Sequence, residues 1–197
     1  MILAFDLGAE ITGWAKFSGF ELEAAGSWTL RTSRREHPGK RWARLRTMFR
    51  NIVAISGRPD FVAYEKVMMH ASGVITCSAC GTIKSYSGRG KSLRCGKCGK
   101  PARRRATMNV AAAHCYGATE AFLEEFCYEI GREPVTVHTS EVKKAATGKG
   151  GGLGTGKVAV LEAARARWPG IKFDNDNVAD AAFVGLAAVT RDQNLPT

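Results

Sequence analysis

The sequence predicts an α/β protein that carries a small, metal-stapled insert. Three observations predict it. The first thirty residues read as consecutive strands with no helical pattern between them; beyond them, helices of clear apolar periodicity alternate with short apolar strands; and four cysteines in two C-x-x-C pairs fall between the fourth strand and the next helix. A chain of 197 residues holds one good core plus a small appendage.

Each element has its own signal. MILAFD, at 1–6, is an apolar run that ends on an acid before the turn LGAE, the pattern of a buried strand. TGWAKFS and ELEAAGSWTL alternate as two more strands with Gly19 between them, giving an antiparallel meander. PGKRWARLRTMFRNIVAISG places Trp42, Leu45, Phe49, Ile52 and Val53 at helical spacing, with Gly57 as C-terminal cap. PDFVAYEKV is a fourth strand. From Met108 to Ile130 a long helix sets Ala112, Cys115, Ala118, Phe122, Phe126 and Ile130 near one stripe. EPVTVH is a fifth strand, and SEVKKAATG starts a short helix with Ser140 as N-cap. KGGGLGTG is a flexible loop, KVAVLEAARARW a helix stopped by Pro169 and Gly170, and NVADAAFVGLAAVTRD a last helix of small apolar residues.

Composition narrows the function classes. The chain is 45% apolar and 24% charged, ordinary for a globular protein. Its apolar runs fall far short of the roughly 20 residues that span a membrane. MILAFDLG has an acid at position 6 and no basic stretch, so it does not read as a signal peptide, and a cytoplasmic protein is expected. Cys115 and Cys127 sit in the apolar helical pattern as reduced core residues, and no disulfide framework is called for. The net charge of +11 is unevenly spread. From Lys66 to Thr119 there is no acid at all, and from Arg31 to Arg50 the basic residues face only Glu36. Two such zones favour a nucleic-acid partner.

Three acids occupy unusual places. Asp6 ends the first strand and Glu65 the fourth, while Asp180 lies inside an apolar helix with Asp176 and Asn177 one turn before it, on the same helical face. Alone, Asp6 reads as a turn cap, Glu65 as a solvated strand end and Asp176 as an N-cap. Asp180 is harder to place so, because a carboxylate among alanines and Phe183 is costly to bury without a partner, and a divalent cation suits several converging carboxylates.

The blocks ILAFDLGAEITGWA, FVAYEKV, HTSEVKKAATGKG and DNVADAAFVGLA resemble, in order, those of the RuvC family of Holliday junction resolvases in the ribonuclease H-like superfamily. They cover nearly the whole chain except about 71–105. The resemblance implies a five-stranded mixed sheet with helices on both faces and a site for two Mg²⁺ or Mn²⁺ ions. It makes Asp6, Glu65 and Asp180 metal ligands. The family commonly has an acid or His three residues before the last Asp. Here that position is Asn177, so Asp176 is the preferred fourth ligand and Asn177 the alternative. Two family lysines near the scissile phosphate match Lys143 and Lys157. Bacterial members carry a junction-wedging aromatic three residues after the strand-four Glu; here Met68 stands there. GGLGTGKV resembles a nucleotide-binding loop only superficially, since no Ser or Thr follows Lys157. A loop that closes over DNA, with Lys149 on it, is expected instead.

CSACGTIKSYSGRGKSLRCGKC, residues 77–98, has zinc-ribbon spacing: Cys77, Cys80, Cys95 and Cys98, with Gly81 and Gly99 permitting tight knuckles. A segment of about 22 residues forms no core, so one structural Zn²⁺ must supply its folding energy. The basic residues Lys84, Arg89, Lys91, Arg94, Lys97, Arg103, Arg104 and Arg105 make it a candidate DNA contact. A passive excursion or a protein contact are the alternatives. The domain expectation is a nuclease domain at 1–70 and 106–197, and a zinc-ribbon insertion at 71–105.

The functional expectation is a metal-dependent endodeoxyribonuclease that resolves four-way or other branched DNA, acting as a homodimer, in a phage or divergent member of the family. The alternatives are a ribonuclease H-like nuclease acting on RNA or other nucleic acid, and a catalytically silent nucleic-acid-binding module.

Overall fold

The computed structural model describes residues 1–33, 35–37, 39–66, 74–82, 86–87, 93–105 and 110–192. In chain order the elements are β1 (Ile2–Asp6), β2 (Ile11–Ser18), β3 (Glu21–Thr29), α1 (Lys40–Ser56), β4 (Phe61–Lys66), the short strands β5 (Val74–Cys77), β6 (Gly81–Thr82), β7 (Tyr86–Ser87), β8 (Arg94–Cys95) and β9 (Ala102–Arg105), then α2 (Val110–Glu129), β10 (Pro134–His138), α3 (Thr139–Thr147), α4 (Lys157–Arg167) and α5 (Asp176–Asp192). They divide into two compact units: Met1–Val67 with Cys115–Thr197, and Met68–His114.

The larger unit is built on a five-stranded sheet in the order β10-β4-β1-β2-β3. β1, β2 and β3 pair antiparallel as a meander, while β1–β4 and β4–β10 pair parallel. This is the mixed ribonuclease H-like sheet that the resemblance implies. Alternation along each strand sends side chains to two helical layers. Leu3, Phe5, Val62 and Tyr64 pack with Leu45, Phe49 and Ile52 of α1 and Leu123, Phe126 and Cys127 of α2. Ile2, Ala4, Ala15, Phe17, Ala63 and Val137 pack on the other face with Val142 of α3, Val160 and Ala164 of α4, and the small apolar residues of α5. Gly185 is part of that fit, because a Cβ there would lie 2.3 Å from the Phe17 ring. Among the described residues no helix is long and apolar enough to cross a membrane.

The structure corrects several local expectations. α3 begins at Thr139, so Ser140 lies inside the helix. The Glu141 carboxylate accepts the His138 amide at 2.8 Å, a reciprocal cap that starts the helix earlier. α5 is capped by Asn175, whose Oδ1 accepts the Val178 amide at 3.1 Å, so Asp176 is not its N-cap. The buried stripe of α2 is centred on Thr119, Leu123, Phe126 and Cys127, leaving Phe122 only half-buried. Cys127 is a core thiol, pushed up to about 12 chiefly by burial. Cys115, expected to be core, is half-buried and accepts a hydrogen bond from Arg41 at 3.3 Å.

Part of the second basic zone is paired with acids. Arg31 pairs with Glu10, Lys40 and Arg44 with Glu36, Arg46 with Glu125 and Arg50 with Glu129. The last two acids come from α2, far along the chain. These exposed pairs add little stability; five basic residues of the zone share four acids, and Arg35 stays exposed.

Candidate active site

Strand phase brings the acids together. Ile2 and Ala4 face the α5 layer, and so does Asp6 two residues on; Ala63 faces it too, and so does Glu65. β1 and β4 are hydrogen-bonded parallel neighbours with Phe5 opposite Tyr64, so the two acids stand side by side at the strands' C-terminal ends. α5 then crosses over them. Gly13 is the register partner of Asp6, and a Cβ at Gly13 would sit 1.9 Å from the Asn177 carbonyl oxygen. Only glycine lets the first turn of α5 lie this close to β2, which carries Asn177 and Asp180 toward Asp6.

The result is a cleft of about 350 Å³ lined by Asp6, Glu65, Asp180, Asn177, Lys143 and Lys157, with Tyr116, Thr139 and Thr155 also on its wall. Thr139 Oγ1 donates to Glu65 Oε1 at 2.5 Å, so the first residue of α3 fixes the acid on β4. Lys157 Nζ, at the start of α4, donates to the Asp176 carboxylate. Asp176 is therefore held at the margin as the partner of Lys157, while Asn177 lines the cleft itself.

The cleft is electrostatically unbalanced. Burial first, then Asp180, Glu65 and Asp176, push the Asp6 carboxyl well above its ordinary range, against the opposing pull of Lys157. Burial, followed by Glu65 and Asp176, pushes Asp180 up to about 7, and Lys157 and Lys143 only partly offset it. Asp176 in turn raises Lys157. Converging carboxylates that repel one another in a half-enclosed space form an all-oxygen donor set suited to hard divalent cations.

In the smaller unit Cys77, Cys80, Cys95 and Cys98 bring their sulfur atoms within 4.8 Å of one another. Gly81 and Gly99, each directly after a C-x-x-C pair, have φ of +69° and +67°, the left-handed turn that glycine adopts without strain. The Ala79 and Lys97 amides point at Cys77 and Cys95 Sγ, each at 3.4 Å. Amide donation from Ala79 and Cys80 pulls the Cys77 thiol down to about 7, favouring the thiolate that binds metal. Two antiparallel ladders, β6-β5-β9 and β7-β8, surround a core of Ile75, Leu93 and Ala102. Four thiolates in this arrangement fit tetrahedral zinc.

Arg94, Lys97 and Arg103 are exposed on this unit, and Arg104 and Arg105 continue β9. Met68, Lys84, Arg89 and Lys91 lie outside the described residues. Lys149 is exposed beyond α3 and does not line the cleft. Sequence reasoning missed Thr139, Tyr116, Thr155 and Gly13. Gly13 had a legible signal, since in a meander with a tight turn it falls opposite Asp6.

No family model and no curated protein matches the sequence. Solved structures do match the fold. Thermus thermophilus RuvC in complex with Holliday junction substrate superposes with a TM-score of 0.65 at 16% identity, covering 98% of this chain and 94% of that one. A second Thermus thermophilus RuvC structure gives 0.61 at 17% identity, covering 98% and 95%. The fold is that of RuvC. The RuvC likeness spans nearly the full length of both chains, so the sheet, its helices and the cleft at the strand ends all fall within it.

Proposed function

We propose that this protein is a metal-dependent endonuclease that cuts four-way (Holliday) or other branched DNA. The observation that carries the reading is the convergence of Asp6, Glu65 and Asp180 with Lys143 and Lys157 in one cleft of a RuvC fold. Asp6, Glu65 and Asp180 would hold two Mg²⁺ or Mn²⁺ ions. Asp176 or Asn177 would take the fourth position: Asn177 lines the cleft, and Asp176, paired with Lys157, acts on both Asp6 and Asp180. Bound there, the ions supply an activated water and stabilise the leaving 3′ oxygen. Lys143 and Lys157 place positive charge on the same wall, where it offsets the negative charge that grows on the phosphoryl oxygens. Thr139 holds Glu65 in the orientation it needs.

One Zn²⁺ on Cys77, Cys80, Cys95 and Cys98 folds the smaller unit, a zinc-ribbon insertion within the nuclease domain. Its exposed Arg94, Lys97 and Arg103, with Lys84, Arg89, Lys91, Arg104 and Arg105 of the same stretch, contact phosphates of a junction arm. Two symmetric cuts are needed to resolve a four-way junction, so the working form is a homodimer, and the cytoplasm is where such a substrate is met.

The reading is tested with synthetic four-way junction, fork, plain duplex, single strand and RNA–DNA hybrid of matched sequence, in Mg²⁺ and in Mn²⁺. Branched DNA should be cut at least about tenfold faster than duplex, a difference of ~1.4 kcal/mol in barrier. Preferential cutting of the RNA hybrid would replace the substrate assignment. Thr139→Val should lower cleavage about tenfold through the loosened Glu65, with binding and melting temperature little changed. Equal cleavage by this variant would remove Thr139 from the site.

A further inference from the structure

We propose that Glu120 of α2 is a positioning residue for Glu65, acting through the two strand neighbours of that acid. The inference rests on the metal-dependent reading above and deepens it, naming what keeps one metal-binding carboxylate in place. Strand alternation sends Glu65 toward the α5 layer and its neighbours Tyr64 and Lys66 to the opposite face. Both neighbours meet the same carboxylate oxygen. The hydroxyl of Tyr64, a residue only 3% exposed, donates to Glu120 Oε1 at 2.6 Å, and Lys66 Nζ lies 4.0 Å from that oxygen. A hydroxyl that donates to a charged acceptor makes one of the stronger hydrogen bonds, and removing the acceptor would leave a phenol unpaired beside the core.

The end of β4 needs such a tie. The parallel ladder to β1 ends at Phe5 and Tyr64, so among the described residues Glu65 and Lys66 pair only with β10, opposite Val137 and His138. The chain leaves for the smaller unit after Val67 and returns at Cys115. Glu120 lies on the returning helix, 56 positions from Tyr64. The hydrogen bond therefore joins the outgoing and the returning segments right beside Glu65, and the strand end does not swing with the connection. Thr139 fixes the Glu65 carboxylate itself; Glu120 fixes the backbone that carries it.

The test titrates zinc-loaded, full-length protein with Mn²⁺, the free ion read by its electron paramagnetic resonance signal, beside junction cleavage over the same Mn²⁺ range. Tyr64→Phe and Glu120→Ala should each weaken Mn²⁺ binding about tenfold, the lower end of what is lost with a partner that orients a metal ligand. Each should raise the Mn²⁺ needed for half-maximal cleavage by the same factor, with junction affinity and the rate at saturating Mn²⁺ much less changed. The double variant should lose no more than either single one, since both remove one bond. Glu120→Gln, whose amide oxygen still accepts from Tyr64, should stay within about twofold of wild type. Unchanged Mn²⁺ affinity in Tyr64→Phe and Glu120→Ala, even with a lowered melting temperature, overturns the assignment, as does a Glu120→Gln protein as weak as Glu120→Ala. If wild type binds Mn²⁺ in a way that depends on Tyr64 and Glu120 but cuts no DNA, the positioning role stands and the nuclease reading fails. If wild type cuts with a Mn²⁺ requirement that neither variant moves, the nuclease reading stands and the positioning role fails.

Discussion

Asp180→Asn should abolish strand cleavage and, without Mg²⁺ or Mn²⁺, raise the melting temperature of the protein. Both effects follow from one cause. In the metal-free cleft burial, Glu65 and Asp176 push Asp180 up to about 7, against about 3.9 in an unfolded chain. The folded state therefore binds more protons than the unfolded state across the window between those values. Stability conferred by the protonated form is present at low pH and is lost as pH rises through it, and above about pH 7 the full cost of the ionised carboxylate remains, on the order of 4 kcal/mol. Asparagine removes that cost. For a chain of this size each kcal/mol moves the midpoint by roughly 2–4 °C, so at pH 8 the variant should melt several degrees above wild type, and the difference should shrink toward pH 5. Cleavage should fall on the order of a thousandfold, ~4 kcal/mol of barrier. Scanning calorimetry of zinc-loaded, Mg²⁺-free protein at pH 5 and pH 8, beside cleavage in Mg²⁺, reads both. A lower midpoint at pH 8 with cleavage intact would show that these acids do not form the strained cluster described.

Replacing Cys95 and Cys98 by serine should release zinc and unfold the smaller unit while leaving the larger one folded. Among the described residues the smaller unit buries only Ile75, Leu93 and Ala102 as an apolar cluster, too small a core to order it. Structural zinc sites contribute about 10 kcal/mol or more to folding. Among the described residues, the two cores of the larger unit draw only on Met1–Val67 and Cys115–Thr197. Zinc content should drop from one per chain to none. Amide exchange should become fast across 74–105 and stay slow in β1, β4 and α5. Junction affinity should weaken at least about tenfold as phosphate contacts are lost, while the cleavage rate of the bound complex changes much less. Retained zinc or unchanged exchange at 74–105 would contradict the assignment.

Much of this architecture was legible from periodicity. The alternation of MILAFD and FVAYEKV sets which side each residue faces, so two acids at the ends of two parallel strands had to share a face once the strands paired. The cysteine spacing and its following glycines marked the knuckles that Gly81 and Gly99 form. What was not legible depends on contacts between distant segments. Glu125 and Glu129 neutralise Arg46 and Arg50 across 79 positions, which no local charge count reveals. The order at the start of α5 turned on which of three adjacent polar residues caps the helix. Asn175 does so, which leaves Asp176 for Lys157 and puts Asn177 in the cleft. Thr139 was hidden because its role needs β4 and the start of α3 to be in register, with Thr139 directly after β10.

The most direct measurement is cleavage of a synthetic four-way junction by wild type and by Asp6→Asn, each with Mg²⁺, with Mn²⁺ and with no added divalent ion, the products mapped by strand. Wild type should make paired nicks near the crossover only when Mg²⁺ or Mn²⁺ is present, and Asp6→Asn should bind the junction with similar affinity and leave it uncut. No cleavage by wild type with either metal, or cleavage undiminished in Asp6→Asn, would contradict a nuclease centre built on Asp6, Glu65 and Asp180.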